Sequence, residues 1–484
     1  MSSVLDCSPS AWVYAGRRLR KFPVAFTHVL RSRMGAASRM EAVAVLGAAA
    51  MLAAGLVFLA AQGSTIATYG AVGVAGFVCV VAVIGPERTG ILLLMGAFFT
   101  APYYKGTGPS LESPVTATDV LLLVGFALLL PRILEGRLRL PIVYWAGAML
   151  VLVAGLLSSA GSTSPQESYL ALMFWMIVMV GLPVAFSMWG PSLVVIDLLA
   201  GSFVVGQMFS FALGYIRGNQ ALGRHAGLAT HPNYFAEGGM LALALLIYLA
   251  YRHFGKSFLW SAAILGAAGV CALTVHLSGS RAAIVVLAVL VLMIPFVERS
   301  AITGFVLATL AALAIVALPI LADLAGRGSA LDRLTGGGGS SQSNSARTLG
   351  LDEGLDRFFA HPIMGDGLID LFDIHNNFLE VAVAIGVFGL AGYLLVLYSF
   401  ARPIIGTGKL RRLCYPVWGY IGFGATVPSL YDRSIWTVVA LSAVAMVEFE
   451  RRRTEGEPSP ATEPEPPEPK APPVRVSTRS GASS

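Results

Sequence analysis

Four short runs of the sequence hold most of its chemically versatile side chains. The first reads Gly223-Arg224-His225-Ala226-Gly227-Leu228-Ala229-Thr230-His231-Pro232-Asn233. The second is Ser278-Gly279-Ser280-Arg281. The third, Ser345-Ala346-Arg347, opens a helix-like stretch to Ala360 and is followed by His361-Pro362 and Gly365-Asp366-Gly367. The fourth is His375-Asn376-Asn377-Phe378-Leu379-Glu380. Arg224, Arg281 and Arg347 offer planar, permanently charged forks that match phosphate oxygens. His375 titrates near neutral pH and can take the proton of an incoming hydroxyl. No His/Asp/Glu trio has metal-ligand spacing and no HExxH occurs, so no metal and no cofactor is expected. A diphosphate leaving group held by arginines needs neither. The set therefore suits transfer of a glycan from a lipid diphosphate to an acceptor. Plainer readings exist for each piece. Arg281 can anchor a span end in headgroups, and Arg347 can be a solvated loop charge. Asn233 and Asn377 can cap helices or sit in their first turn, and His231, His361 and Asp366 can be turn residues. Glu237 and Glu380 lie one turn inside apolar runs, where a buried carboxylate needs a partner. What favours chemistry is that these residues fall on one side of a membrane.

That placement follows from composition. Of 484 residues, 56% are hydrophobic and only 12% charged, and the mean hydropathy is +0.73. A chain this apolar needs lipid as its solvent, so the expected fold is all-α, a polytopic transmembrane helix bundle. A span takes roughly 20 apolar residues. Candidate runs lie near 42–61, 66–84, 90–104, 116–134, 141–159, 168–189, 192–216, 233–251, 258–276, 281–297, 301–325, 375–399, 414–430 and 434–448. With a short third run and a final pair that can be re-entrant, 12–14 spans are expected. An N-terminus in the cytoplasm puts the basic loops Arg132–Arg139, Arg252–Lys256 and Arg402–Arg412 inside, and the mostly neutral ones outside, as insertion favours. The chain then divides into a basic cytoplasmic segment 1–40, a bundle 41–325, one long extracytoplasmic loop 326–374, the rest of the bundle 375–449, and a Pro/Glu-rich cytoplasmic tail 450–484 expected to be disordered. The loop opens with Gly336–Gly339 and serines, where no core can form. The formal charge of +6 does not point to nucleic acid. Four cysteines without CxxC spacing read as packing residues.

The order of these motifs resembles the O-antigen ligase and polymerase superfamily. The resemblance is carried by His231-Pro232-Asn233, Ser278-Gly279-Ser280-Arg281, His361-Pro362-Ile363-Met364-Gly365-Asp366-Gly367 and His375-Asn376-Asn377-Phe378-Leu379-Glu380, and covers roughly 200–400. It implies a bacterial inner-membrane glycosyltransferase whose site faces the periplasmic or outer side. It further implies a polyprenyl-diphosphate-linked glycan donor, an acceptor that is a glycan, lipid or protein, and no metal. It makes His375 the base, and Arg281 and Arg347 the diphosphate ligands, with Arg224 a looser match. His231, Asn233, Asn377 and Glu380 would support the site. Ligase and polymerase are not separated by the motifs. Asp366 departs from the family pattern, adding a negative charge near a diphosphate site. The alternative without chemistry is a transporter or flippase of an anionic lipid-linked substrate.

Overall fold

The computed structural model describes residues 65–103, 115–309, 312–313, 329–334, 336–337, 340–369, 371 and 374–455. The basic segment 1–40, the run 42–61, the second half of the run 301–325 and the tail beyond 455 lie outside the described residues. The chain forms two compact units that divide between Leu92 and Leu93. In the first, α1 (Thr65–Ile84) is followed by the start of α2 (Pro86–Thr100). Pro86 takes the first helical position, where its missing N–H costs nothing.

The second unit is a bundle of helices with a single two-stranded hairpin among the described residues. Its long members are α3 (Ala117–Glu135), α4 (Ile142–Gly161), α5 (Pro165–Trp189), α6 (Leu193–Ile216), α7 (Pro232–His253), α8 (Phe258–Leu277), α9 (Arg281–Glu298) and α12 (Asn377–Ala401). These eight are long and apolar enough to cross a membrane, as a polytopic all-α membrane protein requires. Their starts are encoded locally. Thr116 and Asp119 form a reciprocal capping box on α3. Ser192 and Ser257 cap α6 and α8, and the Asn376 carboxamide accepts from Phe378 N and Leu379 N at 3.0 and 3.1 Å to start α12.

Several expectations need correction. Eight described helices meet the length for a span, and of the other expected runs 42–61 and most of 301–325 lie outside the described residues. The run 414–430 yields only α13 (Tyr415–Gly424), and the run 434–448 is split into α14 (Arg433–Leu441) and α15 (Ala443–Glu455). Helix α15 carries order five residues past the expected start of the tail. The Ser-rich opening of the long loop is helical: α10 (Ala330–Leu334) is followed by α11 (Ser340–Ala360), which begins five residues before the predicted Ser345.

The most extensive helix–helix contact in the unit is α4 on α12. Gly147 and Gly392 face one another so closely that a Cβ on either would stand 2.6–2.7 Å from the other's carbonyl oxygen. Small residues let membrane helices approach in this way. Halfway along, α12 is broken: Ile385 (φ −133°, ψ 18°) and Gly386 (φ 68°, ψ −175°) leave the helical region. The loop 361–368 fills the break. Asp366 N and Gly367 N donate to the carbonyls of Val383 and Ala384 at 2.8 and 3.0 Å, and Val387 N donates to Pro362 O at 2.9 Å. Ser158 and Ser168, from α4 and α5, accept from Gly367 N and Leu368 N. Every one of these freed backbone groups thus meets a protein partner, which hydrocarbon demands.

Candidate functional site

Helices α7, α9 and α12 all begin at the same end of the bundle, and the residues just before them or in their first turns define the site. Arg224 is delivered by the hairpin Gln220–Ala221/Arg224–His225. Its two-residue turn holds Leu222 and Gly223 at φ 54° and 70°, the left-handed pair that a tight hairpin requires. Arg224 is 8% exposed, and Nη1 donates to Asn233 Oδ1 and Gly279 O, both at 3.4 Å. His231 caps α7 through its ring: Nδ1 accepts from Asn233 N at 3.1 Å. His375 sits two residues before α12 with φ 55°, a conformation uncommon for any residue but glycine and a local strain that the surrounding packing must hold.

A cavity of about 510 Å³ collects these groups. It is lined by Arg224, His231, Asn233, Arg333, Arg347 and His375, with Gln342, Ser343 and Ala346 of α11 and Leu222 and Thr426 at its edges. Among the described residues, no carboxylate lines it. Burial and then Arg333, Arg347 and Arg281 push the Arg224 guanidinium down to about 10. Burial and neighbouring guanidinium groups also lower Arg347 and Arg333. His231 is pushed down to about 4, first by burial and then by Arg224, His375 and Arg347. Its imidazole is therefore neutral at physiological pH. With Nδ1 accepting from the backbone, the remaining ring nitrogen carries the N–H.

The structure brings five of the expected residues to one cavity: Arg224, Arg347, His375, His231 and Asn233. Arg281 stands beside it as the first residue of α9, and its guanidinium donates to Asn344 Oδ1 on α11. Asn377 and Glu380 lie deeper, 0% and 2% exposed, and do not line the cavity. Asn377 ties α12 to the 425–431 turn: its Nδ2 donates to Ser429 Oγ at 3.0 Å and its Oδ1 accepts from Ser429 N at 2.8 Å. It is Asn376, not Asn377, that caps α12, and His231, not Asn233, that caps α7. Asp366 does not add a free charge to the site. It accepts from Arg357 Nε and Nη2 at 3.1 and 2.9 Å, which neutralises it and binds the loop 361–368 to α11.

One cavity arginine had not been singled out. Arg333, on the single turn α10, is 7% exposed and donates through Nη1 to Gly279 O at 3.0 Å. The signal was present: Ser329 followed by Ala330-Leu331-Asp332-Arg333-Leu334 is a capped helical turn, and Ser329 Oγ accepts from Asp332 N.

No curated protein matches the chain. Residues 266–394 match the family model described as O-Antigen ligase. The matched stretch runs from within α8 into α12. The resemblance to the O-antigen ligase superfamily is thus established over residues 266–394, the segment that holds Arg281, Arg333, Arg347 and His375.

Proposed function

We propose that this O-antigen ligase-like membrane protein is a glycosyltransferase that moves a glycan from a polyprenyl-diphosphate carrier to an acceptor hydroxyl, at the extracytoplasmic face of a bacterial inner membrane. The observation that carries the reading is the one cavity in which Arg224, Arg333, Arg347 and two histidines meet, with no carboxylate lining it among the described residues. Guanidinium forks bind diphosphate oxygens and stabilise the charge that develops there as the sugar leaves. His375 takes the acceptor proton as the acceptor oxygen bonds to C1 of the sugar. The C1–O bond breaks, its electron pair stays with the phosphate, and His375 then returns the proton to water. His231, neutral, is placed to donate a hydrogen bond without competing for the proton. Cationic side chains take the part a metal would otherwise play, so the transfer is metal-independent. Ligase and polymerase share this chemistry and differ only in the acceptor.

The test is His375→Ala in membranes supplied with a lipid-linked glycan. Transfer is expected to fall at least about 100-fold, the usual contribution of a general base, with protein level and insertion unchanged. Transfer at wild-type rate would remove the base. A transporter reading would gain from the broken α12, since discontinuous helices form substrate sites in transporters. Here, however, the break is filled by the protein's own loop. Movement of the lipid-linked substrate across vesicles without bond formation would favour transport instead.

A further inference from the structure

Helix α12 starts at the site, and where it ends, at the opposite end of the bundle, lies a second cavity of about 300 Å³. One wall is a single face of α15, with Glu448, Phe449, Arg452 and Arg453. The other is the loop Gly406–Gly408 together with Arg411. The two walls approach closely. A Cβ on Gly406 would stand 2.8 Å from the Phe449 ring, and one on Gly408 would stand 2.8 Å from the Glu448 carboxylate.

Cations here outnumber their partners. Both oxygens of Glu448 are engaged, Oε1 by Arg452 Nη2 at 2.9 Å and Oε2 by Leu410 N at 3.0 Å. Arg411 shares the Glu298 carboxylate with Arg412. Among the described residues, the buried Nε of Arg452 has no acceptor and the exposed Arg453 has no carboxylate partner. Depth adds a second constraint. The apolar stretch that begins at Asn377 and is long enough to span ends at Ile405, so the loop starts where hydrocarbon gives way to headgroups. Along that stretch Leu394, Tyr398 and Ile405 are exposed.

We propose that this cavity holds the phosphate of an anionic membrane phospholipid, whose acyl chains lie along α12 past Ile405 and Tyr398. Guanidinium forks match the phosphate oxygens, and basic pockets between helices at headgroup depth suit such lipids. The lipid offsets the excess charge of Arg411, Arg452 and Arg453 and clamps α15 to the end of α12. A zwitterionic lipid brings an ammonium group that the same arginines repel. The site is independent of the glycosyltransferase reading, since the two cavities share no lining residue.

The full-length protein in detergent is melted with three probes: short-chain phosphatidylglycerol, the matching phosphatidylcholine, and inorganic phosphate. A ligand that binds the folded state raises the melting temperature as its concentration rises. Phosphatidylglycerol should stabilise the wild type at lower concentration than either other probe. Arg453→Gln should raise the concentration needed about tenfold, the worth of one charge-assisted hydrogen bond, with lipid-free melting unchanged because the side chain is exposed. Arg453→Lys keeps the charge but loses the fork and should fall between the two. Arg347→Gln, in the other cavity, should respond to phosphatidylglycerol as the wild type does. Equal responses to phosphatidylglycerol and phosphatidylcholine overturn the proposal, as does a wild-type response in Arg453→Gln. A response lost in Arg347→Gln instead would put the anion in the other cavity and overturn it too. Inorganic phosphate acting as strongly as the lipid would make the ligand a soluble phosphate and overturn the lipid assignment.

Discussion

Gly386→Ala tests whether the filled break in α12 holds the site together. At Gly386, φ is 68° and ψ is −175°, a region open essentially to glycine alone, and an L-residue forced there costs about 1–3 kcal/mol. Space is a second obstacle. A Cβ would stand 2.0 Å from Ile363 O and 2.5 Å from its carbonyl carbon. Both are backbone, so the loop must withdraw. Withdrawal strips partners from Val387 N, Asp366 N and Gly367 N, and an orphaned buried polar group costs about 1–3 kcal/mol. The sum is a destabilisation on the order of 4 kcal/mol or more. Helix α11, with Arg347, ends just before this loop, and His375 follows just after it, so activity should fall as well. Gly269→Ala is the control: its Cβ would meet nothing within 4 Å, and a helical Gly→Ala change is neutral or slightly stabilising. Thermal unfolding and glycan transfer are measured on both. Wild-type melting and transfer in Gly386→Ala would refute the claim that the loop and the break depend on each other.

Two further outcomes follow from the geometry. Arg357 and Asp366 are 22% and 31% exposed, so Asp366→Arg or Arg357→Asp alone should cost about 1 kcal/mol, and the exchanged pair should recover at least half of it in a thermal double-mutant cycle; strict additivity would mean that the pair does not tie the loop to α11. His231 titrates at about 4 in the fold against an unfolded value of about 6.5. Between those values the unfolded chain binds the extra proton, so stability is full above pH 6.5, declines as pH falls through the window, and levels off below 4. The loss should be about 2 kcal/mol after allowance for partial exposure, and His231→Gln should flatten that part of a melting profile run from pH 7 to 4; an unchanged slope would disprove the assignment.

The long spans were legible because lipid imposes one rule that hydropathy records directly. The runs 192–216, 258–276 and 281–297 became Leu193–Ile216, Phe258–Leu277 and Arg281–Glu298. Hydropathy misses what happens inside a span. The stretch Val383-Ala384-Ile385-Gly386-Val387 is uniformly apolar, and only the glycine hints at a reversed backbone. It also misled at the chain's end, where the apolar run 434–448 is interrupted at Ser442. Of the site, the residues attached to span beginnings were readable, because a span fixes the height of its first turn. Arg224 and Arg333 depend on a hairpin and a single helical turn, whose placement comes from tertiary contacts at Gly279. Low-complexity surroundings concealed Arg333 in particular, since Gly336–Gly339 reads as flexible chain.

Concentrating guanidinium groups around one cavity has a cost, since each lowers the proton affinity of the next, and the fold must oppose that repulsion. Arg224, Arg281 and Arg333 are tied to backbone and carboxamide acceptors, Gly279 O, Asn233 and Asn344. The opposite end of the bundle is built on the reverse principle. There Glu298, at the end of α9, is directly paired with Arg411 and Arg412, and Asp197 with Arg252 and His253. Ion pairs hold helices together at that end, whereas Arg224, Arg281 and Arg333 at the cavity donate to backbone and carboxamide oxygens.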